Sequence, residues 1–312
     1  MRRLLLVVIF ALSFTSCVVA LGRRSKRGGG GRNVVEEPTA PALCNAAPVR
    51  VACLGDSLTR GDGTHEKPPP TKRNMANRGN YPLELASLLG DGFEVRNFGR
   101  GGATACNRSD VPYVKMPHFR SALRFLSAVA PSSRLVILML GTNDAKEQHW
   151  EQPHCGGAAA YRGGLAELLA RLPAPTPVLV LQPPAILFDH WGISQRLLPP
   201  VRAALADAVP AAASCAAGGR RLAAPLPIAA TRELITSDGI HLSRSGTSLL
   251  ACAAHEALAA FCGADCALLT RPPGSAAREA RARCVESLAR ARSDGQGGVG
   301  LSALSETSIS IG

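Results

Sequence analysis

The sequence predicts an α/β fold of three layers, α/β/α, around a mostly parallel five-stranded sheet. Three observations carry that prediction. Short apolar runs alternate with longer segments whose apolar residues recur at helical spacing. Two of the runs are apolar almost throughout, as expected of parallel strands covered on both faces. Polar turn residues, Gly55-Asp56-Ser57, Asn97-Phe98-Gly99 and Gly141-Thr142-Asn143, stand at the ends of the first three runs. The 312 residues, 46% of them hydrophobic, suffice for one such domain with extensions at both ends.

Taken in order, the strands fall at Val49–Asp56, Phe93–Gly99, Arg134–Gly141 and Pro177–Gln182. Between them, Tyr81–Leu89, Phe119–Val129 and Ala158–Leu172 read as helices. Asn80 is placed to cap the first helix, and Pro82 is tolerated in its opening turn. A fifth strand is expected between Arg220 and Ile228, although Pro225 and Pro227 interrupt it. The Ala- and Leu-rich stretch from Ser245 to Phe261 predicts a closing helix, so the domain is expected to span 48–262. Beyond it, residues 263–312 read as a tail. Ala276–Arg292 forms a short amphipathic helix there, and the residues from Ser293 onward are expected to be disordered.

Residues 1–22 combine Met1-Arg2-Arg3 with the apolar stretch Leu4 to Leu21, the pattern of a signal peptide. The stretch is also near the length that spans a bilayer, and Arg23, Arg24, Lys26 and Arg27 would suit a stop-transfer flank. A lipid-modified Cys17 is a third option. Residues 23–47 read as a basic, Gly- and Pro-rich linker, in which Arg24-Ser25-Lys26-Arg27 is either a processing site or simply solvated charge. Expected localisation is therefore secreted or extracellular, with membrane attachment only through this segment if it is not cleaved. Of the +12 net charge, +7 lies in residues 1–32, and the +5 spread over the other 280 excludes a nucleic-acid binder.

Nine cysteines lie beyond the leader, so a secretory address implies some disulfides and at least one unpaired thiol. Cys53, inside the first strand, reads as a buried free thiol. Cys106 and Cys155 both follow loops at one face of the sheet and are a candidate bridge, though spacing alone does not define connectivity. Cys262 and Cys266 are spaced like zinc ligands but lack a second pair nearby, so no metal is expected. Asn107-Arg108-Ser109 is a glycosylation sequon at Asn107.

Chemistry in an open α/β sheet collects at the carboxyl ends of its strands. Ser57, Gly99 and Asn143 each fall at such an end, and Asp238-Gly239-Ile240-His241 lies in the loop before the closing helix. Each piece alone is ordinary turn chemistry; the four in this order are not. A serine hydroxyl needs a base to take its proton, and His241 is the candidate. Asp238, three residues earlier, would hold the other ring nitrogen and stabilise the imidazolium. The N–H groups of Ser57 and Gly99 and the Asn143 amide would receive the charge that grows on a substrate carbonyl. The remaining histidines, His65, His118, His149, His154, His190 and His255, read as structural or solvent-facing, with His149 and His190 near the rim.

These four segments resemble the SGNH (GDSL) hydrolase family, over about residues 48–262. The resemblance implies a flavodoxin-like fold with Ser57 as nucleophile and Asp238 and His241 completing a triad. It assigns the oxyanion hole to Ser57, Gly99 and Asn143, and implies no cofactor. Two departures are the interrupted fifth strand and Leu242-Ser243-Arg244, where Pro-Asn is frequent after the histidine. The implied activity is hydrolysis of short-chain esters, O-acetyl groups on carbohydrates included, through an acyl-enzyme. The implied partner is thus a small-molecule or carbohydrate ester, and the oligomeric state stays open.

Rival readings are a lysophospholipase or acyl-thioesterase with the same triad, and a non-catalytic secreted carbohydrate-binding protein on the same fold. Trp150, Phe188 and Trp191 are candidate rim residues for a sugar face or a short acyl group. Activity is expected to rise with pH as His241 becomes neutral, since only the neutral ring accepts the serine proton.

Overall fold

The computed structural model describes residues 48–64, 79–151, 155–209, 220–223, 230–262 and 275–295. The N-terminal apolar segment, the basic linker, Cys266, Pro225 and Pro227 lie outside these.

Strand β1 (Val49–Gly55) shows why the chain builds three layers. Successive side chains of a strand point to opposite faces. Val51 and Cys53 enter one hydrophobic cluster, and Ala52 and Leu54 enter another on the other side. Parallel neighbours flank β1: β2 (Phe93–Gly99) on one side and β3 (Arg134–Met139) on the other. Strand β4 (Val178–Val180) follows β3, and the three-residue β5 (Arg220–Leu222) pairs with β4 at the edge. All pairings are parallel, in the order β2-β1-β3-β4-β5. The order reverses between β1 and β3, which opens a crevice at their carboxyl ends.

One face of the sheet is covered by α3 (Pro117–Ser127), α5 (Gly157–Ala170) and α6 (Leu198–Ala208). The other carries α2 (Tyr81–Leu89), α7 (Arg244–Cys262) and α8 (Ser275–Gly295). Two four-residue helices, α1 (Ser57–Arg60) and α4 (Glu147–Trp150), sit at the carboxyl rim. The Asn80 side chain accepts from the Leu83 N–H at 3.0 Å and caps α2 as its sequence suggests.

Helix α6 has no counterpart in the sequence reading, because Pro199-Pro200 looks like a break. Both prolines fall in the first turn, where their missing N–H groups have no intrahelical partner to lose. Leu198, Val201, Ala204 and Leu205, at helical spacing, point into the core. Helix α8 is longer than the 276–292 segment and packs back on the domain rather than trailing from it. Its Cys284 is bonded to Cys252 of α7, its Leu288 is buried, and Arg281 Nε donates to the Leu88 carbonyl at 2.9 Å. Cys53 is a free buried thiol, pushed up to about 12 by burial, and is therefore inert. Among the described residues no helix is long and apolar enough to cross a membrane.

Candidate active site

The turn after β1 delivers Ser57 to the rim. Asp56 caps α1, its Oδ1 accepting from the Leu58 N–H at 2.9 Å, so Ser57 becomes the first residue of that short helix. Asp56 is fully buried, and burial pushes its carboxyl up to about 7 against the hydrogen bond from Leu58. Ser57 is only 7% exposed, and its exposed part faces a cavity of about 390 Å³ shared with Asn143 and His241.

His241 and Asp238 form a local unit. The ring Nδ1 lies 2.8 Å from Asp238 Oδ2. The other carboxylate oxygen accepts from the backbone N–H groups of Ile240 and His241, each at 2.9 Å, and from Thr236 Oγ1 at 2.8 Å. Burial alone would raise this carboxyl, but the four donors outweigh it and hold Asp238 down at about 2. The aspartate is thus a fixed anion across the working pH range. With Nδ1–H committed to it, Nε2 is the nitrogen left to accept a proton.

Asn143 is held by contacts from far along the chain. Its Nδ2 donates to the Ala103 carbonyl at 3.2 Å and more weakly to Asp56 Oδ2 at 3.4 Å. The adjacent Asp144 carboxylate accepts from the Ala105 and Cys106 N–H groups at 3.0 and 2.9 Å. Burial raises Asp144 to about 6, despite those two bonds. Cys106 is in turn bonded to Cys155, as the sequence suggested. His149 is completely engaged: its Nδ1 donates to the Asn143 carbonyl at 2.7 Å, and its Nε2 lies 2.9 Å from Asp110 Oδ1. The sequence reading left His149 merely near the rim. The structure makes it a buried strut beneath the Asn143 loop.

Gly99 is corrected. Its N–H donates to Asn97 Oδ1 at 2.8 Å, so it is not available to a substrate, and Gly99 does not line the cavity. A Cβ at Gly99 would lie 2.3 Å from the Arg60 nitrogen, so glycine is needed there for α1 to pack closely. Gly101 and Gly102 line the cavity instead, Gly102 with φ +78°. The spacing Asn97-x-Gly99-x-Gly101-Gly102 offers several glycines in one loop, and only the packing of α1 tells them apart.

The aromatic wall is partly as expected. Trp191 lines the cavity, stacks on His190 at 4.3 Å between ring centroids and tilts over His241 at 5.5 Å. It is 56% exposed and has φ +50°, a conformation that non-glycine residues adopt rarely. Phe188 lies behind His190 at 6.3 Å and covers Gly239. His190 Nδ1, 2.8 Å from the Asp238 carbonyl, joins this wall to the histidine loop. Trp150 departs from expectation: it packs on the core against Tyr161 rather than lining the cavity. Asn107 Nδ2 donates to Glu167 Oε2 at 2.6 Å. Among the described residues no group of three or more His, Cys, Asp or Glu could hold a metal ion.

A serine-bearing turn and an imidazole backed by a carboxylate line one cavity at the switch point of a parallel sheet. The model of the GDSL-like Lipase/Acylhydrolase family matches residues 53–249, and the chain belongs to that family. An acetylxylan esterase from Xylanibacter ruminicola is 37% identical over 170 residues, 48% of this chain and 31% of that protein. The chain therefore spans about a third of the length of that curated relative. Among solved structures, the native aryl esterase of M. smegmatis is 24% identical, with 68% of this chain and 99% of that one covered and a TM-score of 0.46. A carbohydrate acetylesterase from Sinorhizobium meliloti is 23% identical, with 68% and 98% covered and a TM-score of 0.44.

Proposed function

We propose that the chain is a serine esterase that removes short acyl groups, acetyl above all, from the hydroxyls of carbohydrates. The observation that carries this reading is the 2.8 Å contact between His241 and Asp238, at a cavity that Ser57 and Asn143 also line. Ser57 Oγ attacks the ester carbonyl carbon while His241 Nε2 takes the hydroxyl proton. The carbonyl oxygen becomes an oxyanion held by the Ser57 N–H, by the Gly102 N–H in place of Gly99, and by the Asn143 amide hydrogen that gives up its weak 3.4 Å contact with Asp56. His241 returns the proton to the alcohol oxygen as the C–O bond breaks, leaving the acyl group on Ser57. Water then attacks the acyl carbon, gives its proton to His241, and the acid departs as Ser57 recovers its hydrogen.

The short-acyl preference rests on what lines the cavity. Arg60, Asp62, Arg100 and Lys146 are polar, and Trp191, Ile193 and Ile240 supply the apolar surface. That lining offers room for an acetyl group and little apolar surface for a fatty chain. The relative's acetylxylan activity and the exposed Trp191 ring, suited to stack on a sugar, favour a carbohydrate alcohol. The two disulfides, Cys106–Cys155 and Cys252–Cys284, suit an oxidising compartment, and we place the protein in the secretory pathway on that ground.

The test is acetate and fatty-acid release from acetylated sugars and lysolipids, run beside Ser57→Ala with fluorophosphonate labelling. Acetate release and labelling that both vanish in Ser57→Ala support the reading. Equal labelling of the two proteins refutes Ser57 as nucleophile, and a peak at long acyl chains refutes the acetylesterase.

A further inference from the structure

The cavity beside Ser57 is strongly cationic on two sides. On one side Arg60 is fixed by Asp62, whose carboxylate accepts from the guanidinium Nε at 2.6 Å and also from Nη2. The same guanidinium lies against Gly101, where a Cβ would meet it at 2.7 Å. Arg100 stands beside it, its backbone N–H donating to the Gly55 carbonyl at 2.9 Å at the very end of β1. Across the crevice, Lys146 opens α4 on the Asn143 side, with its backbone N–H on the Asn143 carbonyl at 3.3 Å.

Three cations thus face one acid at the cavity wall, and Asp62 is already committed to Arg60. Among the described residues neither Arg100 nor Lys146 has an ion-pair partner. His118 senses the same field: burial lowers it first, and Arg100 and Arg60 lower it further. Hydrolysis of a neutral ester has no use for this charge, because the developing oxyanion is met by N–H donors at Ser57 and Asn143. Arg100 and Lys146 stand at the cavity wall, where they would meet the alcohol part of the ester.

Resting on the esterase reading above, we propose that the preferred substrate is an acyl ester whose alcohol part bears a carboxylate, such as an acetylated sugar acid. Arg100 offers a planar fork that fits a carboxylate through two parallel hydrogen bonds, and Lys146 adds a point charge from the opposite wall. Trp191 stacks on the sugar ring between them. Cations in a half-open cleft also concentrate an anionic substrate ahead of binding, an effect that salt removes.

The experiment compares acetate release from methyl O-acetylglucuronoside and methyl O-acetylglucoside, which differ only in the carboxylate. At low ionic strength kcat/KM for the acid should exceed that for the neutral sugar by about fivefold or more, the yield of two partly exposed ion contacts. Adding about 0.5 M sodium chloride to the unaltered protein should erase most of that advantage. Arg100→Gln and Lys146→Met should each bring the ratio toward one. A ratio at or below one with the neutral sugar still cleaved overturns the proposal, as does a preference that neither salt nor either substitution changes. Cleavage of neither sugar, or equal cleavage after Ser57→Ala, instead fails the esterase reading on which it rests.

Discussion

The two arms of the site are built on opposite plans. The Asp238–His241 arm is assembled within six residues: Thr236, Asp238, Ile240 and His241 satisfy one another through short-range bonds. The Asn143 arm is assembled across the chain. It draws on Asp56, Ala103, Asp110 and His149, and on a disulfide whose cysteines are 49 residues apart. A local arm keeps its geometry whenever its loop closes. A distributed arm keeps its geometry only when several distant contacts hold at once, so its support should be open to tuning and loss in steps.

The first way to break the comparison is to remove the key group of each arm. His241→Ala should cost about 10³- to 10⁴-fold in kcat on an acetyl ester, the usual worth of a general base that also protonates the leaving group. Asn143→Ala should cost less, roughly 10²- to 10³-fold, the loss of one oxyanion donor. Steady-state kinetics on both variants checks the order. If Asn143→Ala turned over like the unaltered protein, the oxyanion assignment would fail while the base stood.

A second prediction concerns the strut. His149→Ala removes the bond to the Asn143 carbonyl without touching Ser57 or the histidine loop, and should lower kcat by about tenfold with KM little changed, as expected of lost orientation. His149→Gln, which can still donate to that carbonyl, should recover part of the loss. The same pair of substitutions read by thermal unfolding separates a positioning role from a merely structural one. A fall in melting temperature with kcat intact would show that His149 only packs.

The same contrast explains what was legible in the amino-acid order. Asp238-x-x-His241 announces itself because four consecutive residues hold both partners of the bond. Strands β1 to β4, and α2 with its Asn80 cap, were legible for the same reason: period, capping and turn residues are local signals. Misreadings fall where distant packing decides. Gly99, Gly101 and Gly102 are indistinguishable by type, and only the approach of α1 engages the first and leaves the others to the cavity. Trp150 follows the Asn143 loop in sequence yet turns into the core onto Tyr161. His149 looked idle because Asp110, its partner, lies 39 residues away. Helix α6 was hidden by Pro199-Pro200, although Leu198, Val201 and Leu205 offered the helical period to a reader who set the prolines in its first turn.

The smallest effect expected is in how stability follows pH, and it too divides the arms. Asp238 is held down at about 2, so its donors stabilise the fold above the usual carboxylate range and that support is lost as pH falls toward 2. Asp56 and Asp144 behave oppositely. Raised to about 7 and about 6 by burial, they keep protons in the folded state that the unfolded chain has already released. Folded protein binding the extra protons means that stability falls as pH climbs from about 4 to about 7. Taken together, one carboxyl whose support is complete by about pH 4 and two whose support declines from there place the most stable region just below pH 4. Melting temperatures measured from pH 2 to 8 should therefore pass through a maximum there. Asp56→Asn, whose amide keeps an acceptor for the Leu58 N–H, should flatten the decline above the maximum by roughly half and leave the acid limb unchanged. A profile that climbs steadily to pH 7 would mean that Asp56 and Asp144 are ionised in place, and that the distributed arm carries two buried charges rather than two protons.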